Sequence, residues 1–264
     1  DTVATPGQQF ALLVDAAVGE LLDVQLSAIT GGNLAWSLYD PTNRRLLTGT
    51  ATTANPTILL PAAVRAGTHL LLIKPAQTPA SWNLAIERSR KITADAEALA
   101  VATTVSGQRK RFYFEAGPEQ HLGLGLAELA LSTVSSMSTA VHRGDVSVTN
   151  ASCLGSRGGC QLNVRATQRG IHTLTLTPGS TQTFQTLITL SADLAATLVR
   201  EVPLDLGLPR RGQNARLHFA AQAGESLALQ VLSQQTLPSG YNVNYAIYRP
   251  DGTLIKSANT VTHN

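Results

Sequence analysis

Hydrophobic and polar residues alternate with a period of two in two runs that recur far apart in the chain. In the first, Leu12 and Val14 alternate after Gly7-Gln8, and Leu22, Val24 and Leu26 after Gly19-Glu20. In the last, Leu217 and Phe219 follow Gly212-Gln213, and Leu227, Leu229 and Val231 follow Gly224-Glu225. A period of two broken by glycine predicts a half-buried β-hairpin, not a helix. Glycine suits the reversal because a tight turn often needs a positive φ that a side chain resists. The two runs superimpose without insertion: Gly7 falls on Gly212, Gln8 on Gln213, Ala16 on Ala221, Glu20 on Glu225 and Gln25 on Gln230. A shorter third copy runs from Gly107-Gln108 through Phe112, Phe114, Gly117, Leu122, Leu124 and Leu126. Self-similarity at long spacing predicts an array of one repeated β unit.

Each unit continues with the same strand-and-turn grammar. Leu34 to Tyr39 reads as a strand closed by Asp40-Pro41-Thr42-Asn43, and Tyr245 to Tyr248 as one closed by Arg249-Pro250-Asp251-Gly252. Proline followed by an Asx or glycine residue presets such corners. Gly67 to Pro75 predicts an apolar strand, matched by Gly170 to Pro178 with His69 on His172, and Trp82, Leu84 and Ile86 close the first unit. The expected organisation is all-β: tandem β-sandwich units of jelly-roll or immunoglobulin type over residues 1–90, 91–193 and 194–264, the last incomplete. The connectors at 89–106 and 191–211 carry apolar stretches, Leu99-Ala100-Val101 and Thr197-Leu198-Val199, expected to supply first strands to the following sandwich. The third unit has no counterpart of the strands from Gly67 to Ile86. It therefore leaves a sheet edge open, to be filled by more of the same chain or by another chain.

Composition narrows the setting. Charged residues make up 14% and aromatics 5% of 264 residues, with a net charge of +3. Arg44-Arg45, Arg109-Lys110-Arg111 and Arg210-Arg211 are short clusters, read as solvated strand ends and turns, with an anionic partner as the alternative. No nucleic-acid motif accompanies them, and no apolar run is long enough for a membrane helix. Cys153 and Cys160 flank a glycine-rich stretch without a histidine, which favours a disulfide over metal or Cys-x-x-Cys redox chemistry. Asn150 through Cys160 is expected to be the middle unit's lengthened hairpin loop, stapled by that bond. A disulfide places the protein outside the cytoplasm. The chain opens at Asp1 without an export signal, so that signal is expected outside this sequence.

Gly-Gln at a strand start, Ala-Gly-Glu at the hairpin, Tyr-Asp-Pro or Tyr-Arg-Pro-Asp-Gly after the next strand, and Ala-Gly-Thr-His before an apolar strand ending in proline together resemble the bacterial pre-peptidase C-terminal domain family. The resemblance covers the first unit, the tail of the second and the front of the third, with His69 and His172 standing where an aromatic residue is usual. It implies jelly-roll-like or immunoglobulin-like sandwiches in exported bacterial proteins, accessory to a secreted enzyme or built into a surface protein. It carries no catalytic set.

Candidate chemistry is sparse. His69 and His172 share a repeat position, which suits a local structural hydrogen bond. His121, His142 and Asp145 match no recognised catalytic or metal spacing, and His218 and His263 stand alone. There is no Gly-x-Ser-x-Gly elbow and no phosphate loop. Asp40 and Asp251 are candidate calcium ligands or, equally, turn-forming residues. Trp36, Tyr39, Tyr245 and Tyr248 would stack on a sugar if they shared a solvent face, whereas their strand positions favour a core role for Trp36. The expectation is a non-enzymatic structural segment of an exported bacterial surface or filament protein, without cofactor, self-associating or packed on neighbouring domains of one polypeptide. A glycan- or protein-binding accessory or adhesion module is the alternative.

Overall fold

Tight turns recur before any sheet is considered. Thr5 and Gln8 close a reversal around Gly7, Val105 and Gln108 one around Gly107, and Arg210 and Gln213 one around Gly212. All three glycines have φ between +71° and +84°, the backbone a type II turn requires at its third residue. The Gly-Glu reversal also repeats. Glu20 accepts from Ala17 N–H at 2.9 Å, Gln120 from Gly117 N–H at 2.9 Å, and Glu225 from Gln222 N–H at 2.9 Å. The acidic or amide residue is thus part of the turn, satisfying a backbone donor that the reversal would leave exposed.

The computed structural model describes residues 2–237 and 241–260, and its regular elements are β-strands apart from one 3-10 turn at Gly155–Arg157. The first sandwich has one sheet in the order Phe10–Ala16, Gly67–Pro75, Leu34–Tyr39, Arg45–Ala51. The facing sheet runs Thr57–Leu59, Leu22–Ser27, Asn83–Arg88, with Thr2–Val3 paired to Ala80–Ser81 just ahead of the last strand. The second sandwich repeats this order. Lys110–Ala116, Gly170–Thr177, Ser136–Arg143 and Val146–Leu154 form one sheet; Leu99–Ala102, Phe184–Ala192, Gln120–Leu131 and Cys160–Ala166 form the other. Of the two sandwich types expected, this connectivity is the jelly roll. Leu99–Ala102 is a connector segment serving as first strand of the next sandwich, as its apolar run predicts.

Each sandwich buries its own core. In the first, Val24, Leu26, Leu34, Leu71, Ile73 and Trp82 are at most 1% exposed, and Trp82 meets Phe10 edge-on with ring centroids 5.7 Å apart. In the second, Phe114, Leu124, Leu126, Met137, Leu174 and Ile188 are fully buried. Alternate residues of both facing sheets supply each core, which is what the period of two encodes.

Two expectations about the middle unit change. The hairpin equivalent to Asp40–Arg44 is the reversal at Gly144-Asp145, with Arg143 paired to Val146 and Gly144 at φ +56°. Asn150 through Cys160 instead carries the chain from the edge of one sheet to the edge of the other. The disulfide Cys153–Cys160 therefore ties the two sheets together at the sandwich rim, instead of stapling a hairpin. Thr52–Asn55 turns the same corner in the first sandwich without one. Reducing the bond, or replacing both cysteines by serine, is expected to lower stability by about 2–3 kcal/mol for so short a loop. Chemical unfolding with and without reductant measures this, and unchanged midpoints would contradict it.

The chain divides into two compact units, 1–218 and 219–264. Within the second, Val243–Tyr248 pairs with Leu254–Thr260 around the expected turn, where Arg249 N–H donates to the Thr253 carbonyl, the Arg249 carbonyl accepts from Gly252 N–H, and Gly252 sits at φ +84°. The strand expected at Leu227-Leu229-Val231 does not form, and these residues are 47%, 52% and 36% exposed. Its equivalent, Leu22–Ser27, is held on both sides by Thr57–Leu59 and Asn83–Arg88. Without such partners a strand has no ladder to satisfy its backbone, so alternation alone does not make one.

Candidate functional site

The most elaborate polar arrangement in unit 1–218 lies where one sandwich meets the next. The strand Leu22–Ser27 is buried on both faces. Its inner residues enter the core, while Asp23 and Gln25 face outward and are covered by the opening of the second sandwich. Gly107 and Gln108 are buried there, and a Cβ on Gly107 would lie 2.6 Å from the Ala54 carbonyl oxygen. Arg109 donates to Thr57 twice: its N–H to the Thr57 Oγ1 at 2.9 Å, and its Nη2 to the Thr57 carbonyl at 2.6 Å. Gln25 links the two, accepting from the Thr57 hydroxyl at 2.8 Å and donating to the Arg109 carbonyl at 3.3 Å.

Charge closes the joint. Arg111 Nη2 lies 2.6 Å from Asp23 Oδ1, with side chains 9% and 3% exposed, and also donates to the Leu22 carbonyl at 2.9 Å. Lys110 Nζ sits 2.6 Å from Glu87 Oε2 at the rim. Burial pushes the Asp23 carboxyl up to about 6, despite the opposing pull of Arg111. Burial likewise lowers Arg111. Desolvation thus outweighs the attraction within the pair, a common balance for buried ions. The pH dependence follows in sign. The unfolded chain releases the Asp23 proton near 3.8, whereas the folded joint holds it to about 6, so this contribution is full below the lower value. It is lost as pH rises through that window. Asp23→Asn is expected to remove a stability difference of up to about 3 kcal/mol between the two ends of the window. Unfolding free energies measured across it check this, and identical slopes in both proteins would contradict it.

The second joint, also within 1–218, uses the same positions with different chemistry. Gly123 and Gly125 replace Asp23 and Gln25 on the outward face of Gln120–Leu131, and the segment Arg210–Gln213 lies directly on them. A Cβ on Gly123 would come 1.8 Å from the Gly212 oxygen, and one on Gly125 2.1 Å from the Arg211 oxygen. Arg210 Nε donates to Ser191 Oγ at 2.7 Å, and Arg211 Nη1 to the Gly158 carbonyl at 3.2 Å. Arg216, at the repeat position of Arg111, pairs with Asp193 at 2.9 Å and contacts His121 Nδ1. In both joints a linker strand runs parallel to the next sandwich's opening strand. Arg90–Lys91 lies beside Phe112 and Tyr113, and Leu194–Thr197 beside Ala215–His218.

The basic clusters Arg109-Lys110-Arg111 and Arg210-Arg211 are therefore joint residues, not solvated strand ends. Their position beside each Gly-Gln turn was the available signal. Other candidates resolve locally. Trp36 is partly buried over Gly49, whose added Cβ would come within 2.5 Å of the indole, as a core role requires. Trp36 and Tyr39 lie on opposite faces of their strand, as do Tyr245 and Tyr248 of theirs, so neither pair forms a stacking platform. Tyr245 donates its hydroxyl to Gln234 at 3.0 Å. The Asp40 carboxylate accepts from the Thr42 hydroxyl at 2.7 Å and from the Arg44 and Thr42 amides at 2.9 Å each, which holds it below its ordinary value. Asp251 accepts from the Thr253 amide at 2.8 Å. Both are turn-formers, and no cluster of three metal-ligating side chains occurs among the described residues. His69 and His172 contact the carbonyls of Gly67 and Gly170 at 3.1 and 3.2 Å, and His172 stacks on Phe114. His121 and His142 stand on opposite sheets; His263 lies outside the described residues.

No family model matches the chain, and no curated protein does. Among solved structures it is similar to the CUB1-EGF-CUB2 domain of human MASP-1/3, at 8% identity and a TM-score of 0.24, covering 73% of this chain and 98% of that one. It is also similar to the M60 catalytic domain with the CBM51-1 and CBM51-2 domains of Clostridium perfringens ZmpB, at 8% identity and a TM-score of 0.20, covering 69% of this chain and 33% of that one. Nothing about function follows at such scores. No helix among the described residues is long and apolar enough to cross a membrane.

Proposed function

We propose that the chain is a non-catalytic structural segment of an exported bacterial surface or filament protein, in which jelly-roll repeats are locked end to end. The observation that carries this is the joint. A spacer of independent modules needs only a polar linker, whereas this chain buries an aspartate–arginine pair and fits a linker strand beside the next sheet. It then repeats the linker strand and the covered outer face at the second joint. The disulfide supports export, since such bonds persist outside the cytoplasm.

Within that role, strands supplied by another copy complete the third repeat, whose Leu227, Leu229 and Val231 stay exposed. Electron microscopy beside sizing chromatography of the full chain tests this. Filaments or rings with a regular repeat are the expected result. A monomer at every concentration, protease-resistant throughout residues 219–264, would contradict completion by another copy.

A further inference from the structure

Both joints lay a strand from the preceding sandwich along the free edge of the next opening strand. Ile92 N–H donates to the Tyr113 carbonyl at 2.7 Å, and Leu198 N–H to the His218 carbonyl at 2.8 Å. Tyr113 and His218 occupy the same place relative to Gly107 and Gly212, and in the first repeat that place belongs to Leu13. Leu13 is 66% exposed. Its strand, Phe10–Ala16, is the edge of its sheet and pairs with Gly67–Pro75 alone among the described residues. Gly7 and Gln8 are exposed as well, where Gly107, Gln108 and Gly212 are buried.

We infer that the open edge Phe10–Ala16, with the turn at Gly7-Gln8, is a third joint surface, shaped to receive a parallel strand from another jelly-roll repeat of this kind. The inference rests on the tandem structural reading proposed above. An unpaired edge is a ready template for strand addition, and this one has the turn and the carbonyl register that the same fold uses twice elsewhere. Charge selects the partner. Arg109 and Arg111 of the first joint correspond to Gln9 and Ala11. A partner offering a buried carboxylate like Asp23 would leave it unpaired against Ala11, at a heavy desolvation cost. The edge therefore fits a repeat whose outward face is uncharged and close-fitting, as at Gly123 and Gly125. The linker carboxylate Asp193 beside that face, which accepts from Asn214 as well as pairing with Arg216, would here meet Gln9 at the place of Asn214.

The test fuses a second copy of residues 91–206 ahead of Asp1 of the full chain, which keeps the linker close to its natural length. Amide hydrogen exchange is then followed in both copies, with the added copy's Leu174 amide reporting that it has folded. The expected result is that the added Leu198 amide exchanges about a hundredfold more slowly than an open segment, as amides in formed structure do. Replacing that leucine with proline (Leu198→Pro in the added copy), which removes the N–H donor, should abolish the slowing at its neighbours. Free exchange of the added linker, with Ile92 and the original Leu198 still slow, overturns the inference and leaves the tandem reading standing. Free exchange at those two original amides overturns both. An added copy that stays unfolded beside the intact chain also counts against the inference, because this edge would then give a neighbouring repeat no support.

Discussion

Replacing Arg111 with alanine is expected to destabilise the first sandwich and its joint by about 3–5 kcal/mol at neutral pH, the cost of stranding one member of a buried ion pair. Asp23, 2% exposed, would keep its carboxyl without the cation that pairs with it, leaving only the weaker pull of Arg109. Both tryptophans, Trp36 and Trp82, lie in the first sandwich, so tryptophan fluorescence during chemical unfolding reads this sandwich directly. Two further outcomes distinguish a stranded charge from simple loss of packing. The penalty should shrink as pH falls, because Asp23 can then take up a proton. It should also be mostly recovered in the apolar double variant Asp23→Leu with Arg111→Met, since well-packed apolar pairs replace buried ion pairs at little cost. A loss that is independent of pH and unrelieved in the double variant would contradict the account.

The second large effect is expected from one methyl group. In Gly123→Ala the new Cβ meets the Gly212 carbonyl oxygen at 1.8 Å and its carbon at 2.7 Å. Both are backbone atoms, so no side chain can swing away. The segment Arg210–Gln213 must lift off the sheet, taking with it the hydrogen bonds of Arg210 to Ser191 and the Leu190 carbonyl. Limited trypsin cleavage after Arg210 and Arg211 should then accelerate by at least about tenfold, since protection follows the local opening free energy. Gly117→Ala is the control: its Cβ would meet only the end of the Gln120 side chain, at 3.9 Å. Equal cleavage rates in Gly123→Ala and the unaltered chain would show that this contact does not hold the segment down.

The parts of the fold that were legible in sequence are those set by neighbours along the chain. The glycine turns, the Gly-Glu reversal, the Asp40 and Asp251 corners and the backbone contacts of His69 and His172 all depend on residues a few positions apart. All of these form, including the turns in the third repeat, but the Gly-Glu reversal is not the hairpin that the alternation predicts. It carries the chain from Phe10–Ala16 in one sheet to Leu22–Ser27 in the facing sheet, and from Lys110–Ala116 to Gln120–Leu131 in the same way. The disulfide pairing was legible because only two cysteines exist, but its role was not, since sequence does not say that a corner between sheets separates them. Leu227-Leu229-Val231 fails for the opposite reason. Alternation states which face a strand would bury, not whether a neighbouring strand is present. The joints were hidden similarly. Arg111 on an alternating strand reads as solvent-facing until the outward Asp23 of the preceding repeat is known to meet it. Gly123 and Gly125 read as weak strand residues until the chain that lies across them is seen.

The central claim is that the sandwiches are held in one fixed arrangement by their joints. Spin labels on Val64→Cys in the first sandwich and Val134→Cys in the second, both at exposed positions, measure it directly, with Cys153 and Cys160 kept in their disulfide. Pulsed electron spin resonance is predicted to give one narrow distance distribution that broadens when Arg111→Ala is added. A broad distribution in the otherwise unaltered chain would mean that the sandwiches move independently, and would contradict the account.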